Sequence, residues 1–471
     1  MKGITSPLFM AETIRLHNTK SKSVEVFTPR EPGSVSIYSC GPTVYHSQHL
    51  GNMRAAVFAD TLHRMFAYAG YDVRHIINIT DVGHLTSDGD TGEDKLEKGA
   101  KREGKSVWEV AKMYTDIYLK DLVSLNVQIA EYFFPRATDH IEEQIELIKK
   151  LEEKGYTYRI SDGIYYDTSK FERYAEFAHL DVKGLQSGAR VEENTEKKSI
   201  TDFALWKFSP QNEQRQMEWE SPWGKGFPGW HIECSAMAMK YLGDHFDVHT
   251  GGIEHIPVHH TNEIAQSEAA TGVTFANYWM HNNHLQDTTG KMSKSSGDFL
   301  TLSSLIEKGY DPRSYRYFLM SAHYGKELQF SFEALDGAKV AYEKLVAFAG
   351  EHRGARGEVD ERYSNEFAEA MYDDLNTSKA VGILWTMLKD DSLTDDTKYA
   401  TLLDMDWFLG LGLDTVEKVD VVIPEKVQSL LDARAFARAR KDFAESDRLR
   451  DEILALGYTV KDTGSGQKLT K

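Results

Sequence analysis

The chain has 471 residues, of which 41% are hydrophobic, and it carries a formal net charge of −18. This length exceeds a single small core and predicts about two to four domains. The negative charge argues against a broad, nonspecific nucleic-acid coat. No apolar run of about 18 residues and no apolar signal core are present, so a membrane helix and secretion are not expected. We therefore predict a cytoplasmic protein without a membrane partner, in which a reducing environment keeps thiols free.

Residues 34–80 predict a strand, a turn, a helix and a second strand. Residues 34–40 carry strand-like apolar positions and lead into a Gly-Pro turn. Residues 52–68 have apolar side chains at helical spacing, and 73–79 are typical of a buried strand. This βαβ unit indicates a parallel α/β sheet.

The rest of the chain predicts a second α/β half followed by helices. The further predicted elements are a loop running into a helix over 83–107, helical residues over 108–155, a small β insertion around 161–167, a second α/β half over 228–285 with strands 246–249 and 278–281 and a helix over 259–271, and an almost entirely helical region after about 300.

Cys40 and Cys234 are the only cysteines in the chain, and each lies in a segment rich in chemically active residues. Three alternatives are open for the two cysteines. They are inert core residues, they form one disulfide, or they are two ligands of one metal. His259 and Glu263 are four residues apart on a predicted helix and share one face. With the two thiols they form a Cys₂-His-Glu set of ligand types that zinc accepts, although this spacing is not a local zinc signature.

A possible phosphate-binding turn lies between the first predicted strand and helix. In His49-Leu50-Gly51-Asn52, glycine permits close backbone approach and the helix N-terminus favours an anion. On its own the pattern is equally typical of a capped turn.

A second possible phosphate-binding segment is Lys291-Met-Ser-Lys294-Ser295, which is flanked by glycines. Two lysines and two hydroxyls suit a clamp on a polyphosphate, where they would stabilise charge on a leaving pyrophosphate. The alternative is a flexible basic loop.

Together, these two segments resemble the paired ATP-binding signatures of class I aminoacyl-tRNA synthetases, and further motifs narrow the resemblance to the cysteinyl-tRNA synthetase family. These motifs are Cys40-Gly-Pro-Thr-Val-Tyr45, Asn78-Ile-Thr-Asp81, Ser187-Gly-Ala-Arg-Val191, Asp202-Phe-Ala-Leu-Trp-Lys207, Pro228-Gly-Trp-His-Ile-Glu-Cys-Ser-Ala-Met237, Asn262-Glu-Ile-Ala-Gln-Ser267 and Lys441-Asp-Phe-Ala-Glu-Ser-Asp-Arg-Leu-Arg-Asp451. The resemblance covers essentially the whole chain.

The resemblance implies a role for each candidate site residue. The implied zinc ligands are Cys40, Cys234, His259 and Glu263; the implied catalytic residues are His49, Asn52, Lys291 and Lys294; the implied ATP-binding residues are these four with Gly51, Trp279 and His281; and the implied substrate-binding residues are Thr80 and Trp230.

The implied reaction has two steps. L-Cysteine is activated with ATP and Mg²⁺ to cysteinyl-adenylate, and the cysteinyl group is then transferred to the 3′ end of tRNA(Cys). Zinc would select the substrate thiol, for which it has a greater affinity than for a hydroxyl. A monomer is expected.

The implied fold class is α/β, with a Rossmann-type parallel-sheet catalytic domain, an inserted connective domain and an all-helical C-terminal anticodon-binding region. The implied domains are the first half of the catalytic domain at 1–120, the connective insertion at 121–227, the second catalytic half with the lysine segment at 228–299, a stem-contact region at 300–350 and the anticodon-binding domain at 351–471.

Some features depart from the family pattern or leave alternatives open. Glu254 stands where the family has an aspartate, and Gly83-His84 replaces a common acidic pair. Arg434, Arg438 and Lys441 are spaced as one cationic stripe on a helix, which suits either a phosphate backbone or solvent. A cysteine:amino-sugar ligase and a non-catalytic tRNA-binding relative are the alternative functions.

Overall fold

The computed structural model describes residues 13–83, 94–180, 195–210, 215–287, 290–291, 300–418, 424–463 and 466–470. Lys294, His84 and the Ser187–Val191 motif lie outside these ranges. The chain forms two compact units, Met1–Val416 and Glu417–Lys471, which are treated separately below.

The secondary structure alternates between strands and helices up to residue 291 and is mainly helical afterwards. The strands are β1 Arg15–Asn18, β2 Ser23–Val26, β3 Ser34–Ser39, β4 Asp72–Ile77, β5 Tyr132–Phe133, β6 Thr157–Ile160, β7 Gly163–Tyr166, β8 Phe203–Phe208, β9 Gly226–Pro228, β10 Phe246–Gly252, β11 Ala276–Asn282, β12 Leu285–Asp287, β13 Gly290–Lys291, β14 Leu328–Gln329, β15 Thr459–Thr463 and β16 Gly466–Thr470. The α-helices are α1 Leu50–Tyr68, α2 Lys95–Glu103, α3 Val107–Ser124, α4 Ile141–Glu153, α5 Trp230–Leu242, α6 Thr261–Thr271, α7 Leu302–Glu307, α8 Pro312–Met320, α9 Phe332–Glu351, α10 Glu361–Tyr372, α11 Thr377–Lys389, α12 Asp395–Leu409, α13 Glu425–Ala439 and α14 Phe443–Ala455.

The first unit is built on a five-stranded sheet in the order β11-β10-β3-β4-β5, with every neighbouring pair parallel. The predicted Rossmann-type sheet and its two α/β halves are confirmed. From β3 the chain extends the sheet through β4 and β5 on one side, and later through β10 and β11 on the other. The strand order therefore reverses at β3, and ligands of such sheets bind beside this point at the carboxyl ends of the strands.

Helix α1 begins two residues earlier than predicted because His49 caps it. The Asn52 main-chain N–H donates to His49 Nδ1 (3.2 Å), and the His49 main-chain N–H donates to Asn52 Oδ1 (3.3 Å). This reciprocal pair satisfies two amide groups that the first turn of a helix leaves without partners.

The predicted continuous helical segment over 108–155 is wrong. Helix α3 ends at Ser124, Asn126 adopts a positive φ of 59°, and the short edge strand β5 follows before α4. Asparagine tolerates this left-handed conformation, and Pro135 cannot donate a helical hydrogen bond. The predicted β insertion is confirmed as β7, the second strand of a four-stranded antiparallel sheet in the order β6-β7-β8-β9.

The helices after residue 300 pack onto α1 around a buried ionic cluster. The Asp60 carboxylate accepts hydrogen bonds from Arg64 Nε (2.7 Å), Arg316 Nη2 (2.5 Å) and the Tyr132 hydroxyl (2.8 Å). Burial opposes ionisation of Asp60, but the two guanidinium groups hold its pKa well below its usual value. This carboxylate thus bonds both buried cations in the middle of the unit and offsets part of their charge.

Residues 351–416, which the sequence assigns to the C-terminal domain, lie in the first unit. Arg64 donates to the main-chain carbonyl of Trp407, and Arg316 donates to that of Leu409. The domain boundaries inferred from the resemblance remain a prediction. None of the helices in the described part of the chain is long and apolar enough to cross a bilayer.

The second unit is not all-helical, so that part of the fold prediction needs correction. Helices α13 and α14 are followed by an antiparallel hairpin of β15 and β16. Gly457, with a φ of 84°, follows the end of α14, and the β-branched Thr459 and Val460 then favour a strand.

The predicted cationic stripe on α13 is also wrong. Arg434 is 1% exposed, and its two terminal nitrogens donate to the two carboxylate oxygens of Asp462 (2.8 and 3.0 Å). Arg438 Nη1 lies 3.0 Å from the same carboxylate, and Lys441 lies beyond the helix with a φ of 64°. Arg434 and Arg438 thus join α13 to the hairpin, through a long-range contact that helical spacing does not reveal.

Replacing Asp60 with Asn keeps the shape of the side chain but removes the carboxylate charge to which the buried Arg64 and Arg316 are bonded. We expect Asp60→Asn to lower the free energy of unfolding by about 3 to 5 kcal/mol. Urea denaturation at pH 7, followed by circular dichroism, measures this change. The exposed Lys112–Asp116 pair provides the control, because Asp116→Asn should cause no measurable change. Equal unfolding midpoints for the two variants would show that the Asp60 cluster does not stabilise the fold.

Candidate active site

A cleft of about 280 Å³ lies at the carboxyl ends of β3, β4 and β10, beside the reversal of strand order. Eight of the residues predicted from the sequence line it. They are Cys40, His49, Gly51, Asn52, Thr80, Trp230, Cys234 and His259. The cleft therefore brings residues from separate parts of the chain to one place.

One wall of the cleft holds a buried cluster of metal-ligand types. One donor atom from each of Cys40, Cys234, His259 and Glu263 lies within 4.8 Å of the other three. Cys40 follows β3, Cys234 lies in the second turn of α5, and Glu263 lies in the first turn of α6. The two cysteines are free thiols rather than a disulfide, which excludes one of the three alternatives.

A short π-helix, Ile256–His260, directly precedes α6 and positions two consecutive histidines. Such wide turns are common at functional sites. His259 Nε2 lies 2.9 Å from Glu263 Oε1 and lines the cleft. His260 points elsewhere, with Nε2 3.3 Å from Cys40 Sγ and Nδ1 2.7 Å from His281 Nε2.

Two other histidines contact the cluster from behind. His249 Nε2 lies 2.9 Å from Glu263 Oε2, and His231 Nδ1 lies 3.0 Å from His259 Nδ1. Such outer contacts orient metal-binding side chains and fix their protonation. Sequence analysis missed both because neither has a spacing relation to the residue it contacts.

The cluster carries opposite charges that stabilise one another. The hydrogen bond from the Cys40 thiol lowers the pKa of Cys234 to about 6, whereas burial raises the pKa of Cys40 well above its usual value. Burial opposes protonation of His259, yet Glu263 and Cys234 raise its pKa to about 10. Two thiol groups, an imidazole and a carboxylate with this charge pattern fit a divalent cation of the zinc type.

A second donor set shares part of this cluster. Donor atoms of Cys40, His249, His260 and Glu263 also lie within 4.8 Å of one another. Neither His249 nor His260 lines the cleft, whereas Cys234 and His259 do. The first set, which includes Cys234 and His259, is therefore better placed to hold a metal that contacts a substrate in the cleft.

The opposite part of the cleft contains the N-terminus of α1. His49 and Asn52, the pair that caps this helix, both line the cleft. A β-carbon at Gly51 would lie 3.0 Å from the His49 ring, so only glycine fits here without displacing the ring. The helix dipole and main-chain amides make this end suitable for an anion.

Only the beginning of the lysine segment lies among the residues that the structure describes. The main chain of Lys291 belongs to β13, which pairs with β12, while Lys294 lies outside the described residues. β12 begins at Leu285, whose neighbours Asn283 and His284 line the cleft. The chain that leads to the lysines thus starts at the cleft.

Thr80 and Trp230 lie near the metal-ligand cluster. The Asn78 amide nitrogen donates to Thr80 Oγ1 (3.0 Å), and Asn78 Oδ1 accepts from the Gly41 main chain (2.8 Å), which joins the loop after β4 to the loop after β3. The Trp230 ring lies 4.6 Å from the His259 ring, centroid to centroid. Both residues are therefore placed to contact a substrate in the cleft.

The structure does not bring Trp279 and His281 to the cleft. Trp279 is 1% exposed and stacks on His249 with ring centroids 4.4 Å apart. His281 is buried between Thr19 Oγ1 and His260 Nδ1, each 2.7 Å away. The cleft-facing residues from this part of the chain come later, after β11 ends, because the side chains inside the strand are covered by neighbouring elements.

Lys95 is a cleft residue that sequence analysis missed. Its Nζ lies 5.4 Å from the centre of the Trp230 ring, at the first position of α2. It follows Asp94, whose carboxylate occupies the space next to Gly83 that a β-carbon would fill. The sequence pattern that could have identified Lys95 is the Asp94-Lys95 pair at the end of an acidic, glycine-rich segment.

Comparison with known proteins bears on the identity of this site. Residues 26–340 match the model of the tRNA synthetases class I (C) catalytic domain. Residues 420–468 match that of the Cysteinyl-tRNA ligase anticodon binding domain. The chain belongs to the cysteinyl-tRNA synthetase family. Both resemblances drawn from motifs, to class I and to this family, are confirmed.

Relatives within the cysteinyl-tRNA synthetase family match over nearly their full length. Cysteine–tRNA ligase 1 of Burkholderia lata is 50% identical over 97% of this chain and 96% of its own. Cysteine–tRNA ligase of Zymomonas mobilis is 43% identical over 94% and 95%. A solved methionyl-tRNA synthetase of Mycobacterium tuberculosis, bound by methionyl-adenylate, shares the fold at 15% identity, with a TM-score of 0.54 over 88% of this chain and 96% of its own.

The two donor sets make different predictions for zinc content. We expect the purified protein to hold about one zinc per chain, and Cys234→Ala and His259→Ala to lose it on dialysis because each removes a direct ligand. His260→Gln is the matched control, which should retain zinc because His260 would only support Cys40. Elemental analysis after dialysis measures the ratio. Zinc lost from His260→Gln but kept in Cys234→Ala would assign the metal to the second set.

Proposed function

We propose that this protein is a cysteine–tRNA ligase, which activates L-cysteine with ATP and transfers it to tRNA(Cys). The observation that carries the proposal is the convergence, in one cleft, of a thiol-rich metal-ligand cluster and a helix N-terminus suited to phosphate. The family relationship supports the same reaction. We also propose that the protein acts in the cytoplasm, as a monomer, where its thiols stay reduced.

In the first proposed step, the cysteine carboxylate attacks the α-phosphate of ATP and pyrophosphate leaves, giving cysteinyl-adenylate. No side chain acts as a nucleophile, so catalysis rests on positioning and on stabilising charge. His49, Asn52 and the amides of α1 would face the phosphates, with Mg²⁺ bound to the triphosphate. Lys291 and Lys294 would balance the charge on the departing pyrophosphate.

Selection of cysteine is proposed to depend on the metal-ligand cluster. Cys40, Cys234, His259 and Glu263 would hold zinc, which supplies a Lewis acid with high affinity for a thiolate and much lower affinity for the hydroxyl of serine. A site that offers a bond that the wrong substrate cannot make discriminates strongly without proofreading. Thr80 and Trp230 would orient the rest of the amino acid beside the cluster.

Lys95 adds a cation on the amino-acid side of the cleft. The carboxylate and the α-phosphate that must meet there are both anionic, so a nearby ammonium group reduces their repulsion. Its position above the Trp230 ring supports this role.

In the second proposed step, the terminal ribose hydroxyl of the tRNA attacks the activated carbonyl and AMP leaves. The match of residues 420–468 to an anticodon-binding domain supports tRNA as the acceptor. It also argues against a cysteine:amino-sugar ligase, which usually lacks the full C-terminal region. The cleft, which is lined by eight of the residues predicted from the sequence, argues against a non-catalytic relative.

The first step is tested by ATP–pyrophosphate exchange. We expect exchange that requires cysteine but not tRNA, and that is on the order of 10⁴-fold less efficient with serine. Lys294→Ala should lower the exchange rate on the order of 100-fold because it removes a cation that balances the leaving group. Lys308→Ala, at an exposed lysine in the short connection after α7, is the control and should exchange normally. Absence of exchange by zinc-replete protein would rule out the catalytic assignment.

The proposed tRNA acceptor is tested by an aminoacylation assay. We expect the protein to attach radiolabelled cysteine to tRNA with a cysteine anticodon and to leave amino-sugars unmodified. Acid gel electrophoresis of the tRNA and chromatography of the sugar fraction measure the two products. Exchange without charging, together with a cysteinyl amino-sugar, would favour the ligase alternative.

A further inference from the structure

Arg54 is a buried cation on α1, two residues after Asn52. It is 3% exposed, and the same helix begins with the phosphate-facing turn of the cleft. Neither the motifs nor the family resemblance drew attention to it.

The guanidinium group of Arg54 binds five main-chain carbonyl oxygens. Nη1 donates to Asn283 (2.9 Å) and His284 (2.6 Å). Nη2 lies within hydrogen-bonding distance of His323 (3.4 Å), Tyr324 (3.3 Å) and Lys326 (2.5 Å). The five acceptors belong to two loops that are about 40 residues apart in sequence.

These two loops support the strand that leads to the lysine segment. Asn283 and His284 directly precede β12, which pairs with β13 at Gly290–Lys291. The second loop leads to β14, which pairs in parallel with β12. Arg54 therefore ties the helix that carries one ATP signature to the small sheet from which the other begins.

The chemistry of the contact is specific to arginine. In the described part of the chain, every hydrogen-bond acceptor of Arg54 is a neutral main-chain carbonyl. Burial lowers the pKa of Arg54 to about 10. A lysine has three N–H donors and no planar fork, so it satisfies fewer of these carbonyls. A buried cation held only by neutral groups is costly, which is consistent with a positional rather than a stabilising purpose.

We infer that Arg54 is a positioning residue for ATP, which fixes the distance between the N-terminus of α1 and the start of the lysine segment. Both must reach the same triphosphate, so a shift of either one misplaces half of the phosphate contacts. This inference rests on the proposed function, because it assumes that the two signatures bind one ATP.

The experiment compares Arg54→Met and Arg54→Lys with the wild type. Arg316→Lys is the matched control, because Arg316 is also buried and donates to main-chain carbonyls, but those carbonyls belong to Leu125 and Leu409 rather than to the 283–284 loop. Three quantities are measured for each protein: the dissociation constant for ATP by calorimetry, the kinetic constants of ATP–pyrophosphate exchange, and the melting temperature.

For Arg54→Met we expect a loss on the order of 100-fold in kcat/KM for ATP, as for a misplacement of about 1 Å. The dissociation constant for ATP should rise by about tenfold, and KM for cysteine should stay within about twofold of the wild-type value, because the amino-acid side is untouched. Arg54→Lys should restore part of the loss. Arg316→Lys should lower the melting temperature without changing the affinity for ATP.

The inference is overturned if a folded Arg54 variant binds ATP and exchanges as the wild type does. It is also overturned if KM for ATP and KM for cysteine rise together, with a drop in melting temperature that Arg316→Lys reproduces. If Arg54→Met does not fold, Arg54→Lys decides between these outcomes. A wild-type protein that binds ATP without exchanging would instead contradict the proposed function, while the effect of Arg54 on the affinity for ATP would still test the inference.

Discussion

The parallel register of β3 with β4 and β10 is the constraint on which the site depends. Ser39 pairs with Ile77 on one side and with Thr250 on the other, so β3 and β4 end at the same level and β10 ends two residues beyond it. Cys40, Thr80 and Gly251 follow or end these strands and consequently meet at one edge. A change of register of β3 by one residue would turn the Cys40 side chain to the other face of the sheet and would separate its thiol from Cys234 and Glu263.

Sequence predicted the parts of the site that have local or highly specific patterns. His259 and Glu263 are related by helical spacing, and the turn at residues 49–52 was predicted to bind phosphate only in combination with the lysine segment. The combination of His259 and Glu263 with Cys40 and Cys234 was proposed from ligand type, and the family resemblance supported it, since no local zinc spacing relates the four residues. His231, His249 and Lys95 escaped notice because their roles depend on contacts between segments far apart in the chain.

The same contrast between local sequence patterns and contacts between distant segments applies to the fold. The βαβ unit was predictable because its periods of apolar residues are distinct, whereas the break between α3 and α4 depends on single residues, Asn126 and Pro135. Arg434 illustrates the opposite error: a helical pattern suggested an exposed cation, but Asp462 on the following hairpin buries it. A residue that bonds across elements cannot be assigned from its own element.

The first unit contains two different solutions to the burial of an arginine. Arg316 shares the Asp60 carboxylate with Arg64, and this carboxylate joins two helices, α1 and α8, and the strand β5. Among the described residues, Arg54 bonds carbonyl oxygens, which specify direction and distance but do not compensate its charge.

The packing of α12 against α1 determines where the chain can be shortened. A shortened protein that ended near residue 350 would lose the carbonyl of Leu409 that Arg316 binds, and would expose an apolar face of α1. One that ended at 416 would keep these partners, so the smallest autonomous folding unit is larger than the sheet and its connecting helices.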